Sequence, residues 1–315
     1  MSNYVLGVHT YYVKSLIKYP SCRLNSLRGL QHYLSNNVSS SSSSSSSCLI
    51  INIRSKGGSS QRWLARQRSD PFVQRSRIES YRCRSAFKLL QLNDKIHNGL
   101  FKPGDIVVDC GAAPGSWCQV ASSFINPNRG TSVNDHSKQS GVVIAFDLLD
   151  FAPLPGVISY SGVDLNNWSE CINLINQSAV SHLDKSHNND NNNRQLHDGR
   201  KFLPCVDVVL SDMAPNITGI RDIDIPAMMK LAVSVLRVAT SVSKLGASLV
   251  IKLFDSPEAI EFKEKVSQFY MYNSNLLSTK SSFIRFIKPQ ASRKESSEIY
   301  LVARGFQLPE NIEKN

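Results

Sequence analysis

Residues 107–121, VVDCGAAPGSWCQVA, constrain the fold more than any other stretch. A short apolar run stops at an acid, crosses a turn of small residues and resumes with helical spacing. Ile106, Val107 and Val108 are β-branched and follow the turn KPGD at 102–105, the pattern of a strand buried on both faces. After Asp109, the residues Gly111, Ala112, Ala113, Pro114 and Gly115 bring nearly bare backbone to the carboxyl edge of that strand, where α/β sheets bind ligands. A G-x-G-x-x-G dinucleotide turn would need glycine at 113, where Ala113 stands, and no Gly-Lys-Ser/Thr follows. A nicotinamide-binding or P-loop chain is therefore disfavoured.

The rest of the chain supplies the elements such a unit needs. Residues 70–96 predict one helix with an apolar face at Phe87, Leu90 and Ile96 and a basic face at Arg75, Arg77, Arg82, Arg84 and Lys88, suited to contacting phosphates. A second strand at 142–146 ends at Asp147, an acid placed to accept from the two hydroxyls of a ribose. A third begins at 157, with Asp164 just beyond it. A fourth, 206–210, runs into SDMAPNITG, a helix follows from about 223 to 243, and LVIKLF at 249–254 is a buried strand interrupted by one lysine. Late strands are expected at 281–287 and 299–303. Alternating strands and helices with two late strands predict a doubly wound, Rossmann-like α/β sheet, mostly parallel, with an antiparallel edge.

Residues 126–140 and 178–200 are polar and are expected to be disordered surface insertions. The longest strongly apolar run, near Ile251, is far short of the roughly 20 residues of a membrane helix, so no membrane partner is expected. The seven cysteines are scattered without a C-x-x-C pair, which suits reduced thiols in an intracellular compartment. The histidines show no metal-ligand spacing, and no metal is assigned.

Charge is distributed unevenly. The chain holds 36 basic and 25 acidic residues, for a net +11. The first 69 residues contain nine of the basic residues and no acid, which leaves 27 against 25 for the remainder. An acid-free, Arg- and Ser-bearing start followed by a serine run at 39–47 predicts a transit peptide and flexible linker over 1–68, mitochondrial in preference to plastid, with a nuclear or cytosolic basic tail as the alternative. A catalytic domain over 69–307 and a short tail over 308–315 complete the expected layout. The near-neutral domain must attract nucleic acid through local patches rather than an overall field.

Four charged residues stand out. Lys252 interrupts a buried strand, where a charge is unfavourable unless paired or functional. Asp212 ends the preceding core strand at the same edge as the glycine turn, Lys88 lies on the leading helix, and Glu298 opens the last strand. A Lys-Asp-Lys-Glu set of this kind could deprotonate and orient a weakly acidic hydroxyl; Lys252 could also be no more than the structural partner of an acid.

RSAFKL, DCGAAPGSW, SDMAPN, VIKLF and SSEIYLVARG, in this order, resemble the blocks of the FtsJ/RrmJ family of RNA 2'-O-methyltransferases over about residues 69–306. The resemblance implies S-adenosylmethionine (SAM) as methyl donor and a Lys88, Asp212, Lys252, Glu298 tetrad with Lys252 as proton acceptor. It implies cofactor contacts by Pro114, Gly115, Ser116 and Trp117, by Asp147 at the ribose, by Asp164 and Leu165 near the adenine, and by Asp212 near the methionine end. Trp117 equally fits packing beneath the turn. With the presequence, the implied reaction is 2'-O-methylation of a uridine in mitochondrial large-subunit ribosomal RNA, within a precursor particle. The alternatives are a tRNA or cap 2'-O-methyltransferase and a SAM-binding ribosome assembly factor.

Overall fold

The computed structural model describes residues 65, 67–127, 140–187, 204–270 and 283–307. The chain divides into two compact units, Met1–Gln67 and Arg68–Asn315, and every element below belongs to the second. Apart from residues 65, 67 and 68, the expected presequence and linker lie outside the described residues, as do 128–139, 188–203 and 308–315.

Five strands run parallel: β1 (Ile106–Cys110), β2 (Val142–Asp147), β3 (Val157–Ser161), β4 (Val206–Ser211) and β5 (Ser243–Phe254). β6 (Phe283–Ile287) and β7 (Glu298–Arg304) complete one seven-stranded sheet in the order β3-β2-β1-β4-β5-β7-β6. β7 is antiparallel to both its neighbours, so the expected antiparallel pairing falls at this end of the sheet, with β6 outermost. The chain winds one way from β1 to β3 and the other way from β4 to β5. β1 and β4 therefore flank the reversal, where the carboxyl ends of the strands open a crevice.

All five residues of β1 are buried, as its unbroken apolar run requires. Val107 and Val108 are fully inaccessible, each stabilising the core by roughly 1.5–3 kcal/mol. Helices α3 (Ser116–Ile125), α4 (Trp168–His187), α5 (Arg221–Val242) and α6 (Pro257–Tyr270) follow β1, β3, β4 and β5. α5 is long and apolar enough to cross a membrane by length and composition, yet 61% of its most apolar stretch is buried inside the fold. It is a core helix.

Two expectations need correction. The leading segment is two helices, α1 (Pro71–Ile78) and α2 (Ala86–Asp94), because Ser80 adopts φ 58° and breaks the helical path. Residues 178–187, expected in a loop, continue α4. Cys171, Ile175 and Ala179, four residues apart, form a buried stripe that carries the helix through that point.

Candidate active site

The carboxyl ends of β4 and β5, the start of β7 and the first turn of α2 meet beside the crevice. Strand β5 brings Lys252 and strand β4 ends one residue before Asp212, so the lysine Nζ lies 3.0 Å from Asp212 Oδ1 and donates to the Asp212 carbonyl at 2.5 Å. From α2, Lys88 reaches Glu298 Oε2 at 2.8 Å and Asp212 Oδ1 at 3.9 Å. All four sequence-predicted residues thus form one cluster, with side chains 10–17% exposed. Two cations and two anions this far from water compensate one another's desolvation.

Two further residues, which sequence reasoning missed, complete the surroundings of Asp212. The Tyr300 hydroxyl donates to Oδ1 at 2.6 Å, and the Ser85 hydroxyl donates to Oδ2. Signals for both were present: Tyr300 lies two residues after Glu298 and so on the same strand face, and Ser85 begins the turn that carries Lys88. Burial works to raise the Asp212 carboxyl. Lys252, Lys88 and the bonds from Ser85 and Tyr300 outweigh it and hold the group below the ordinary carboxylate range. Burial, with Asp212 and Glu298 close by, pushes the Tyr300 hydroxyl well above its usual value, so it remains a donor. Asp212 is a fixed anion.

The glycine turn lies across the crevice. Gly111 and Gly115 have φ 75° and 98°, conformations open to residues without Cβ. The bare backbone at Gly111 leaves room for the Met213 side chain: a Cβ there would lie 1.9 Å from Met213 Cγ. At Gly115 a Cβ would meet Arg82 Nη1 at 2.7 Å. Arg82 donates to the Pro114 carbonyl at 2.7 Å and the Pro153 carbonyl at 3.0 Å, so this member of the expected basic face pins the turn. Arg75 pairs with Glu79 one turn away, and Arg84 pairs with Asp70.

The remaining predicted positions separate into exposed and buried groups. Asp147 sits beside the turn, accepting from Ala113 N and Leu149 N, each at 2.8 Å. A carboxylate has about four acceptor sites, so two remain for a diol. Asp164 is exposed and accepts from Asn166 N at 2.9 Å, while the Leu165 side chain is buried. Ser116 is buried and takes the Cys83 thiol at 3.0 Å. Trp117 is 2% exposed and its indole donates to the Ser85 carbonyl at 2.9 Å. It packs beneath the turn and ties α3 to α2. Among the described residues no group of three or more His, Cys, Asp or Glu is placed to hold a metal ion.

The profile of the FtsJ-like methyltransferase family matches residues 81–306, which span the sheet and every residue of this cluster. The chain belongs to that family. It is a methyltransferase. Among relatives of this FtsJ-like chain, rRNA methyltransferase 2, mitochondrial, from Drosophila melanogaster is 37% identical over 256 residues, covering 81% of this chain and 86% of that protein. Ribosomal RNA large subunit methyltransferase E from Bradyrhizobium sp. is 34% identical over 255 residues, covering 81% and 90%. The protein of that name from Coxiella burnetii is 33% identical over 247 residues, covering 78% and 95%.

Proposed function

We propose that this chain transfers the methyl group of SAM to the 2'-hydroxyl of a uridine in mitochondrial large-subunit ribosomal RNA. The observation that carries the reading is the convergence of Lys88, Asp212, Lys252 and Glu298 on one side of the glycine turn. The relatives named for ribosomal RNA support the substrate class, and the one named as mitochondrial supports the compartment.

The residues around the turn fit SAM. Asp147 retains acceptor capacity for a ribose diol and the first amides of α3 have no partner within their own helix, while Asp164 and the Leu165 backbone would hold the adenine end. Pro114 and Gly115 shape the turn between them, and Asp212 would hold the methionine end. SAM supplies an electrophilic methyl group when bound. Lys252 takes or orients the proton of the 2'-hydroxyl, a role open to a lysine only in its neutral form. Asp212 holds Lys252 in place through its carboxylate and carbonyl, and Glu298 holds Lys88, which fixes the target nucleotide. The substrate oxygen is thereby lined up for displacement with no metal.

Residues 1–68 are proposed as the presequence and linker, and 69–307 as the catalytic domain. A reporter carrying residues 1–69 should enter mitochondria, and a diffuse cytosolic reporter would remove the compartment from the proposal. The catalytic reading is tested with labelled SAM and mitochondrial large-subunit RNA or its precursor particle, mapping methylation by resistance to alkaline cleavage. One resistant site is expected at a uridine. No label in RNA or particle would redirect the substrate search to tRNA or capped RNA; rescue of ribosome assembly by a tetrad variant would favour the assembly factor.

A further inference from the structure

The left-handed backbone of Ser80 turns the chain out of α1 and lays residues 82–85 against the start of α3. Gln119 of α3 fastens this crossing. Its Oε1 accepts from Arg82 N at 2.9 Å, and its Nε2 donates to the Ser80 carbonyl at 3.1 Å. The Arg82 guanidinium is thereby brought to two main-chain carbonyls from different segments: Pro114, in the turn at 111–115, and Pro153, in the loop at 148–156 that follows β2.

That loop begins with Leu148 and Leu149, 65% and 67% exposed, so its first residues gain little from burial. Phe151 and Leu154 further along pack against the core. Polar ties hold both ends. Asp147 joins Leu149 N to Ala113 N, and the Ser122 hydroxyl of α3 donates to the Pro155 carbonyl at 3.0 Å. Asp147 is also the proposed acceptor for a ribose diol, so a bound ligand draws on the same carboxylate. The bonds from Arg82 end on carbonyls of both segments and leave that carboxylate free. Gly115 permits the close approach: a Cβ there would lie 2.7 Å from Arg82 Nη1, 3.0 Å from Leu154 Cδ1 and 3.1 Å from Phe151 Cδ2. A planar guanidinium offers its terminal nitrogens to two acceptors in a fixed geometry, which the single ammonium of lysine cannot reproduce.

We propose that Arg82 is a positioning residue for the cofactor: its guanidinium, laid across the Pro114 and Pro153 carbonyls, holds the 148–156 loop closed on the 111–115 turn in advance of binding. The inference rests on the SAM reading of the previous subsection and assigns Arg82 no contact with SAM or RNA. Ordering the two segments beforehand removes a conformational cost from the binding step, so the effect falls on affinity for SAM rather than on methyl transfer.

The test uses the full chain and calorimetry with SAM alone. Arg82→Ala should weaken SAM binding about tenfold, the scale of one charge-assisted hydrogen bond. In the cofactor-free chain, amide exchange over residues 148–154 should quicken while that of β1 and β4 stays as it is. Arg82→Lys keeps the charge but not the fork, and its SAM affinity should stay closer to that of Arg82→Ala than to that of the native sequence. In turnover, KM for SAM should rise with KM for the RNA unchanged. Native SAM affinity in Arg82→Ala, or a rise in KM for the RNA alone, would overturn the assignment and leave the SAM reading intact. Faster exchange throughout the sheet would also overturn it, since that marks a general loss of stability. If the native sequence binds no SAM, the cofactor reading falls and the inference with it.

Discussion

Lys252 and Tyr300 stand directly opposite one another across the antiparallel β5–β7 pair, and both reach the same oxygen of Asp212, at 3.0 and 2.6 Å. Side chains opposite one another in such a pair share a face. Glu298 lies on that face too, two residues before Tyr300. The reversal of β7 therefore delivers three members of the polar cluster to the crevice from two adjacent strands.

Removing the proposed proton acceptor separates chemistry from binding. Lys252→Ala should lower kcat by a factor of roughly 10²–10⁴, the usual contribution of a general base, while SAM affinity measured by calorimetry persists. Equal loss of both would assign Lys252 a structural role.

Asp212 depends on its donors as well as on the lysines. Tyr300→Phe and Ser85→Ala each remove one bond to the carboxylate, a loss of about 1.5–3 kcal/mol for a charged acceptor. Each should slow methyl transfer about ten- to a hundredfold. Single-turnover rates at saturating substrates check this, and unchanged rates would show that water replaces the lost donor without penalty.

Gly111 and Gly246 separate backbone strain from close approach. Both have positive φ, 75° and 83°, so alanine at either should cost about 1–2 kcal/mol. A Cβ at Gly246 meets nothing within 4 Å, whereas at Gly111 it must displace Met213. Gly111→Ala should be the more destabilising by about 1–3 kcal/mol in urea unfolding. Equal midpoints for the two variants would mean that Met213 moves aside freely.

Asp109 sets a pH dependence. Burial pushes its carboxyl up to about 7, against an opposing hydrogen bond from the Cys118 thiol. Folding therefore favours the protonated form. The native state binds more protons than the unfolded chain above the ordinary carboxylate value, and stability present at low pH is lost as pH rises through about 7. The slope is about 1.4 kcal/mol per unit inside that window. Asp109→Asn cannot ionise, so its stability relative to the native sequence should increase from pH 5 to pH 8. Urea midpoints across that range decide it, and a constant difference would place the group's ionisation outside the window.

The strand–turn–helix around residues 107–121 was legible because burial and turn chemistry there are local: β-branched residues, an acid, then glycines. The mostly parallel sheet with its antiparallel end was legible from the alternation of strands and helices, and Lys252 stood out as a lysine inside an apolar strand, whereas its grouping with Lys88, Asp212 and Glu298 rested on the family resemblance. The break at Ser80 was not legible, because left-handed backbone at a serine carries no composition signal. Nor was the continuation of α4 past residue 178, where a buried stripe outlasts the change to polar composition.

The sequence by itself determined the class of sheet, the turn at its reversal and the burial of one charged residue, Lys252, inside an apolar strand. Only the tertiary structure decided which partners the charged residues meet. Ser85 and Tyr300 close on Asp212 from segments 127 and 88 residues away, and Met213 packs against the bare backbone of Gly111. The physical reason is that local pattern fixes which face of an element is buried, whereas the pairing of polar groups depends on contacts between elements, set by strand register and packing.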